Sequence, residues 1–114
     1  MKLYITEANE KYPEIINNYD ITSDMEESTN VLVLPGGLGA IKDMFNAMTE
    51  HKDILIYNKD KYYNAILESI FKSSYIDEDA FIHMDVESNY EKLLNKLEER
   101  KNERINDGKN SKLL

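Results

Sequence analysis

The sequence predicts an α/β domain, a short and mainly parallel sheet flanked by helices. Three observations carry that class. Val31-Leu32-Val33-Leu34 is a continuous apolar run cut off by Pro35-Gly36-Gly37, the pattern of a strand covered on both faces. Ile54-Leu55-Ile56-Tyr57 repeats it. Between and after these runs lie segments with apolar residues at helical spacing. Strand, helix, strand in alternation is satisfied by right-handed crossovers onto a parallel sheet.

Taken in order, residues 2–6 form the first strand candidate. Residues 7–30 carry a weaker pattern. Pro13 can open a short helix as its first residue, with Asn18 near its end. Residues 19–22 read as a strand or as extended chain, and Ser23 is a candidate cap for a short helix over 24–29. After the run at 31–34, Ile41, Met44, Phe45 and Met48 fall at i, i+3, i+4, i+7, so one helical face is apolar. After the run at 54–57, Tyr63, Ile66, Leu67 and Ile70 repeat that spacing, with Asp60 placed as an N-cap. Phe81-Ile82-His83-Met84 is a weaker strand signal. Tyr90, Leu93, Leu94 and Leu97 mark a last helix, opened by Ser88-x-x-Glu91 as a capping box. Glu98-Glu99-Arg100-Lys101 reads as its solvated face. Residues 106–114 are polar and include a glycine, so the expected division is a single domain over 1–105 and a flexible polar tail over 106–114.

Composition narrows the function. At 114 residues the chain has room for one domain. Lys and Arg number 14 against 22 Asp and Glu, a net charge of −8, which disfavours nucleic acid as a partner because phosphate neutralisation needs clustered cations. No apolar run approaches the ~20 residues of a membrane span, and the start, Met1-Lys2-Leu3-Tyr4-Ile5, turns polar too early for a signal-peptide core. With no cysteine, disulfides, thiol catalysis and Cys-based zinc sites are excluded. A cytoplasmic protein is the resulting expectation. His51 and His83 have no metal-ligand spacing around them; neither a metal nor a cofactor is expected. His83 reads as structural, His51 as surface, and the methionines as core filler.

The stretch Leu34-Pro35-Gly36-Gly37-Leu38-Gly39-Ala40 holds three of the four glycines of the chain. It lies between a buried strand and an amphipathic helix. Glycines there permit positive φ and close approach of a ligand. The first helical N–H groups and the helix dipole favour a phosphate. Two readings stand: an anion-binding loop, or a tight turn with no ligand. Asp43, one turn beyond Gly39, can meet a sugar carried by such a phosphate, or it can simply favour the helix N-terminus through the dipole. Tyr62 is a candidate wall of a base pocket, whereas Tyr63 falls on the apolar stripe and reads as core.

At these residues the sequence resembles the LOG ("lonely guy") family, often labelled lysine decarboxylase-like. Its Rossmann-like, usually dimeric members are phosphoribohydrolases that split nucleoside 5′-monophosphates, cytokinin precursors and AMP among them, into base and ribose 5-phosphate. The family hallmark Pro-Gly-Gly-x-Gly-Thr-x-x-Glu reads here Pro35-Gly36-Gly37-Leu38-Gly39-Ala40-Ile41-Lys42-Asp43. Asp43-Met44-Phe45 is similar to its Glu-Leu-Phe, and Asn58-Lys59-Asp60-Lys61-Tyr62-Tyr63 to its Asn-x-Asp-Gly-Tyr-Tyr. The resemblance covers roughly residues 25–97. It implies a Rossmann-like three-layer sandwich at about half the family's size. It further implies phosphate binding by Gly36, Gly37, Leu38, Gly39 and Ala40, a catalytic Asp43, a base and ribose pocket with Asn58 and Tyr62, and a homodimer.

Four departures bear on activity. The family threonine is Ala40, and its glutamate is Asp43, shorter by a methylene. Its Arg-Lys pair would fall at Ile21 and Thr22, and no arginine precedes Arg100. The family's N-terminal half has no counterpart, which would leave a sheet edge for residues 7–29 or a second protomer to cover. Losing one electrostatic partner commonly costs orders of magnitude in rate, and a carboxylate displaced by ~1 Å costs about 10²-fold. The expectation is a nucleotide-binding protein with weak or lost N-glycosidic hydrolysis. The alternatives are a phosphoribohydrolase completed by a partner protomer and a non-catalytic protein-interaction remnant.

Overall fold

A computed structural model describes residues 1–6 and 11–110. Its elements run β1 (Lys2–Ile5), α1 (Pro13–Asn18), β2 (Asp20–Thr22), β3 (Asn30–Val33), α2 (Leu38–Thr49), β4 (Asp53–Tyr57), α3 (Asn64–Phe71), β5 (Met84–Glu87) and α4 (Tyr90–Asn110). All neighbouring strands are parallel, in the order β2-β1-β3-β4-β5. The predicted α/β class with a helix-flanked parallel sheet, a Rossmann-like sandwich, is thus what the chain forms.

The continuous apolar runs are continuous because both faces of the sheet are covered. Val31, Val33, Ile54 and Ile56 pack with Met44, Ala47 and Met48 of α2 and Leu67 and Ile70 of α3. The alternate residues Leu32, Leu34, Leu55 and Tyr57, with Leu3 and Ile5, pack with Ile15 of α1 and with Leu93 and Leu97 of α4. Side chains alternate along each strand, so a helix on each face requires apolar residues at every position. The sheet is therefore doubly wound, in one of the two common strand orders of that class.

Several local expectations change. Residues 24–29 form only a 3₁₀ turn, Met25–Glu27, capped by Asp24, whose side chain accepts the Glu26 N–H. Asp60 is not a helix cap; it sits with φ 53° inside the turn Lys59–Lys61, a left-handed position that Asp tolerates, and α3 starts later, at Asn64. The strand signal at 81–84 is displaced to Met84–Glu87, because Phe81 ends a 3₁₀ turn and packs edge-on against Phe71, with centroids 4.8 Å apart. The cap of α4 is Asn89 rather than Ser88: its side chain accepts the Lys92 N–H at 2.9 Å. Arg100 does not lie on a fully solvated face, since it is half-buried and its Nη2 donates to the Ile54 carbonyl at 3.4 Å. Helix α4 continues through residues 106–110, where a tail was expected. Polarity alone does not end a helix, and one glycine costs it only about 1 kcal/mol. Residues 111–114 lie outside the described residues.

The segment expected to cover an open edge does so by becoming a strand. β2 pairs with β1 from Lys2↔Asp20 to Tyr4↔Thr22. This answers the edge on which the homodimer expectation rested, and the new edge is only three residues long.

Candidate functional site

In a doubly wound sheet the strand order reverses at one point, and the strand ends diverge there into a crevice. Here that point lies between β1 and β3: the chain leaves β1 for α1 on one face and leaves β3 for α2 on the other. The loop 34–37 and the first turn of α2 stand at the carboxyl end of β3, on this crevice.

The loop is fastened from two sides. From β1, the buried Thr6 hydroxyl accepts the Leu34 N–H at 2.9 Å, and the Thr6 N–H donates to the Leu32 carbonyl at 3.1 Å. From the turn before α3, the buried Tyr63 hydroxyl donates to the Leu34 carbonyl and the Tyr62 hydroxyl to the Gly36 carbonyl, each at 2.6 Å. The two rings meet edge-on at 4.8 Å. Tyr62 keeps 52% of its surface exposed beside the loop, so the structure brings it to the glycines.

No described glycine has positive φ. Left-handed backbone is therefore not why glycines stand here, contrary to the sequence-based argument. Gly37 opens α2 with φ −85° and ψ −152°, extended backbone open to other residues. What the glycines supply is bare backbone: Gly37 and Gly39 are exposed and Gly36 is half-buried. The first turn of α2 carries no acidic side chain. Leu38 projects outward at 84% exposure, while the Ala40 side chain is packed fully inward.

Asp43 is half-buried one turn further on, where its Oδ2 accepts a 2.8 Å hydrogen bond from the Tyr4 hydroxyl of β1. Sequence reasoning missed Tyr4. Its alternation with Leu3 and Ile5 places it on the α2 side of the sheet, which was the available signal. Burial, then the hydrogen bond and charge of Asp43, push the Tyr4 phenol up to about 12.

Asn58 lies in the turn between β4 and α3. It is buried; its Oδ1 accepts the Tyr63 N–H at 2.7 Å and its Nδ2 donates to Asn64 Oδ1 at 2.6 Å. Its amide builds the turn that holds both tyrosines. Ile21 packs into the α1–α4 core, and the Thr22 hydroxyl is turned to the Asp24 carbonyl and Glu27, so neither position offers a cation.

Among the described residues no group of three or more His, Asp or Glu is arranged to hold a metal ion, and no helix is long and apolar enough to cross a membrane. His83 lies near Asp53, 3.5 Å apart and exposed. A cavity of about 310 Å³ beside Asn30, Asp53 and Arg100 belongs to the opposite, amino-terminal edge of the sheet.

Fold and loop together define a class: a doubly wound parallel α/β protein with a glycine loop at its switch point. Compared with protein-family models, with curated proteins and with solved structures, the chain matches none.

Proposed function

We propose that the protein holds a nucleoside 5′-monophosphate such as AMP at loop 34–40, in the manner of the LOG family, with weak or lost N-glycosidic hydrolysis. The observation that carries this reading is the position of the loop, at the carboxyl end of β3, on the switch point, with a carboxylate one turn beyond it. Ligands of doubly wound sheets bind there, and a phosphate is favoured at a helix N-terminus. In this reading backbone groups from Gly36 to Ala40 hold the phosphate, Asp43 accepts ribose hydroxyls, and the exposed Tyr62 ring borders the base.

The chemistry argues for binding ahead of turnover. Glycosidic cleavage develops positive charge on the sugar and needs a placed water. Asp43 keeps a carboxylate but shares it with Tyr4, and no cation stands at Ile21 or Thr22. The carboxylate itself favours the second reading, a phosphoribohydrolase completed by a second protomer.

The test is calorimetric titration with AMP, GMP, CMP and UMP, followed by chromatography of the AMP mixture for adenine and ribose 5-phosphate. Saturable binding of at least one nucleotide is expected, with base release at background. Gly37→Val should abolish binding without unfolding the chain, because valine adopts the observed extended backbone there. Absence of binding across the panel overturns the proposal and leaves the protein-interaction remnant. Adenine release that Asp43→Asn removes establishes the hydrolase instead.

A further inference from the structure

At the far end of α2 from the glycine loop lies a cavity of about 630 Å³, between α2, α3 and the turn Glu78–Phe81. It is roughly 16 Å along the helix axis from the loop and shares no residue with the site described above. Its walls are apolar, including Phe45, Met48, Ile70 and Ile76. Two exposed aromatic rings stand at it: Tyr75 is 96% and Phe45 41% exposed. The rest of the lining is Thr49, His51 and Ala80, together with the acidic side chains of Asp77 and Asp79.

We infer that this groove is a binding site for a small organic cation, an ammonium group on an apolar body. The volume is that of a small-molecule pocket, and a mainly apolar wall with a few convergent polar groups is the usual make-up of one. Sign complementarity selects the ligand. Apolar walls bury the body, and aromatic faces and carboxylates both attract a cation. An anionic ligand meets repulsion from Asp77 and Asp79 and from a chain of net charge −8. The same argument disfavours a second copy of this chain, which would bring two acidic rims together. The inference stands independently of the nucleotide reading.

The test is a ¹H–¹⁵N chemical-shift titration of the whole chain at fixed ionic strength, with benzyltrimethylammonium, benzyl alcohol and phenylacetate as probes. Saturable shifts are expected at residues 45–49, 70 and 75–80. The cation should bind about fivefold or more tighter than the alcohol, and phenylacetate weakest. Asp77→Asn with Asp79→Asn should erase the difference between cation and alcohol, and Tyr75→Ala should weaken the cation. Should a variant lose its spectral dispersion, the wild-type probe order alone decides. AMP should leave these resonances unmoved, which separates failure here from failure at the loop. Absence of saturable shifts in the groove, or equal affinity for the three probes, overturns the proposal. So does concentration-dependent broadening confined to the groove in the absence of probe, which would assign the face to a second copy.

Discussion

Tyr63→Phe isolates the tie that sets the floor of the glycine loop. The change deletes one hydroxyl and keeps the ring, which is fully buried against Val33, Met44 and Leu67 in the α2–α3 core. The lost bond is the 2.6 Å donation to the carbonyl of Leu34, a residue with no solvent exposure. Water cannot readily replace the donor, so the desolvation cost of that carbonyl appears in full, about 1–2 kcal/mol. With an unfolding entropy of about 2.1 cal/mol/K per residue, a chain of this length should lose roughly 4–8 °C in Tm. Tyr62→Phe is the control. It removes an equally short bond to the same loop, but from a half-exposed ring onto Gly36, where solvent can take over. It should cost no more than about 0.5 kcal/mol, roughly 2 °C. Calorimetric melting of the two variants side by side measures the contrast. Equal shifts, or a Tyr63→Phe shift below roughly 1 °C, would refute the argument that burial rather than bond length decides the cost.

Asn58→Ala should destabilise the fold by about 1–3 kcal/mol in urea denaturation, since it leaves the Tyr63 N–H without its side-chain acceptor in a buried turn. Leu97→Ala, which empties a fully buried position between α4 and the sheet, should cost about 2–5 kcal/mol by the same measurement. Alkaline pH should unfold the chain through its tyrosines. Burial, as the largest cause, raises Tyr4 and Tyr19 to about 12 and also raises Tyr57 and Tyr90. The folded state therefore holds these protons longer than the unfolded one. The stability so gained is complete below pH ~10 and is lost as pH rises toward about 12. Phenolate absorbance should lag behind that of free tyrosine and then rise together with the loss of far-ultraviolet dichroism.

What the sequence discloses and what it hides divides along the range of the interactions involved. β3 and β4 are legible because four apolar residues in a row have few other uses, and α2 and α4 because their stripes span two turns or more. β2 is only half legible: residues 19–22 read as a strand or as extended chain because Asp20-Ile21-Thr22 has one apolar residue, and the segment becomes a strand because β1 is there to pair with it. The starts of α3 and β5 were misplaced for a related reason. Two consecutive left-handed residues, Asp60 and Lys61, delay the helix, and the packing of Phe81 on Phe71 draws an apolar residue out of the strand. The glycine loop and Asp43 were legible from local spacing. The partner of Asp43 was not, since Tyr4 lies 39 residues away and meets it only when β1 has docked beside β3.

The two tasks weighed in the proposed reading would depend on different parts of the chain, and that asymmetry bears on which of them the fold can keep. The cradle proposed for the phosphate at the start of α2 is made of backbone, and the place of that loop is set by the parallel sheet and by the ties from Thr6, Tyr62 and Tyr63. Side-chain substitution at the exposed Leu38 leaves those amides where they are. Stabilising an oxocarbenium-like sugar instead depends on particular side-chain charges at fixed distances, which a single replacement removes. Thr22 and Ile21 hold no such charge, and the Asp43 carboxylate is engaged by a phenol whose raised pKa keeps it a hydrogen-bond donor across the physiological range. A neutral donor on Asp43 fixes its orientation while drawing electron density from the oxygen it binds. Such a carboxylate is better suited to accepting ribose hydroxyls in one geometry than to meeting full positive charge. On the proposed reading, this arrangement of backbone, carboxylate and phenol suits retention of a nucleotide better than its cleavage.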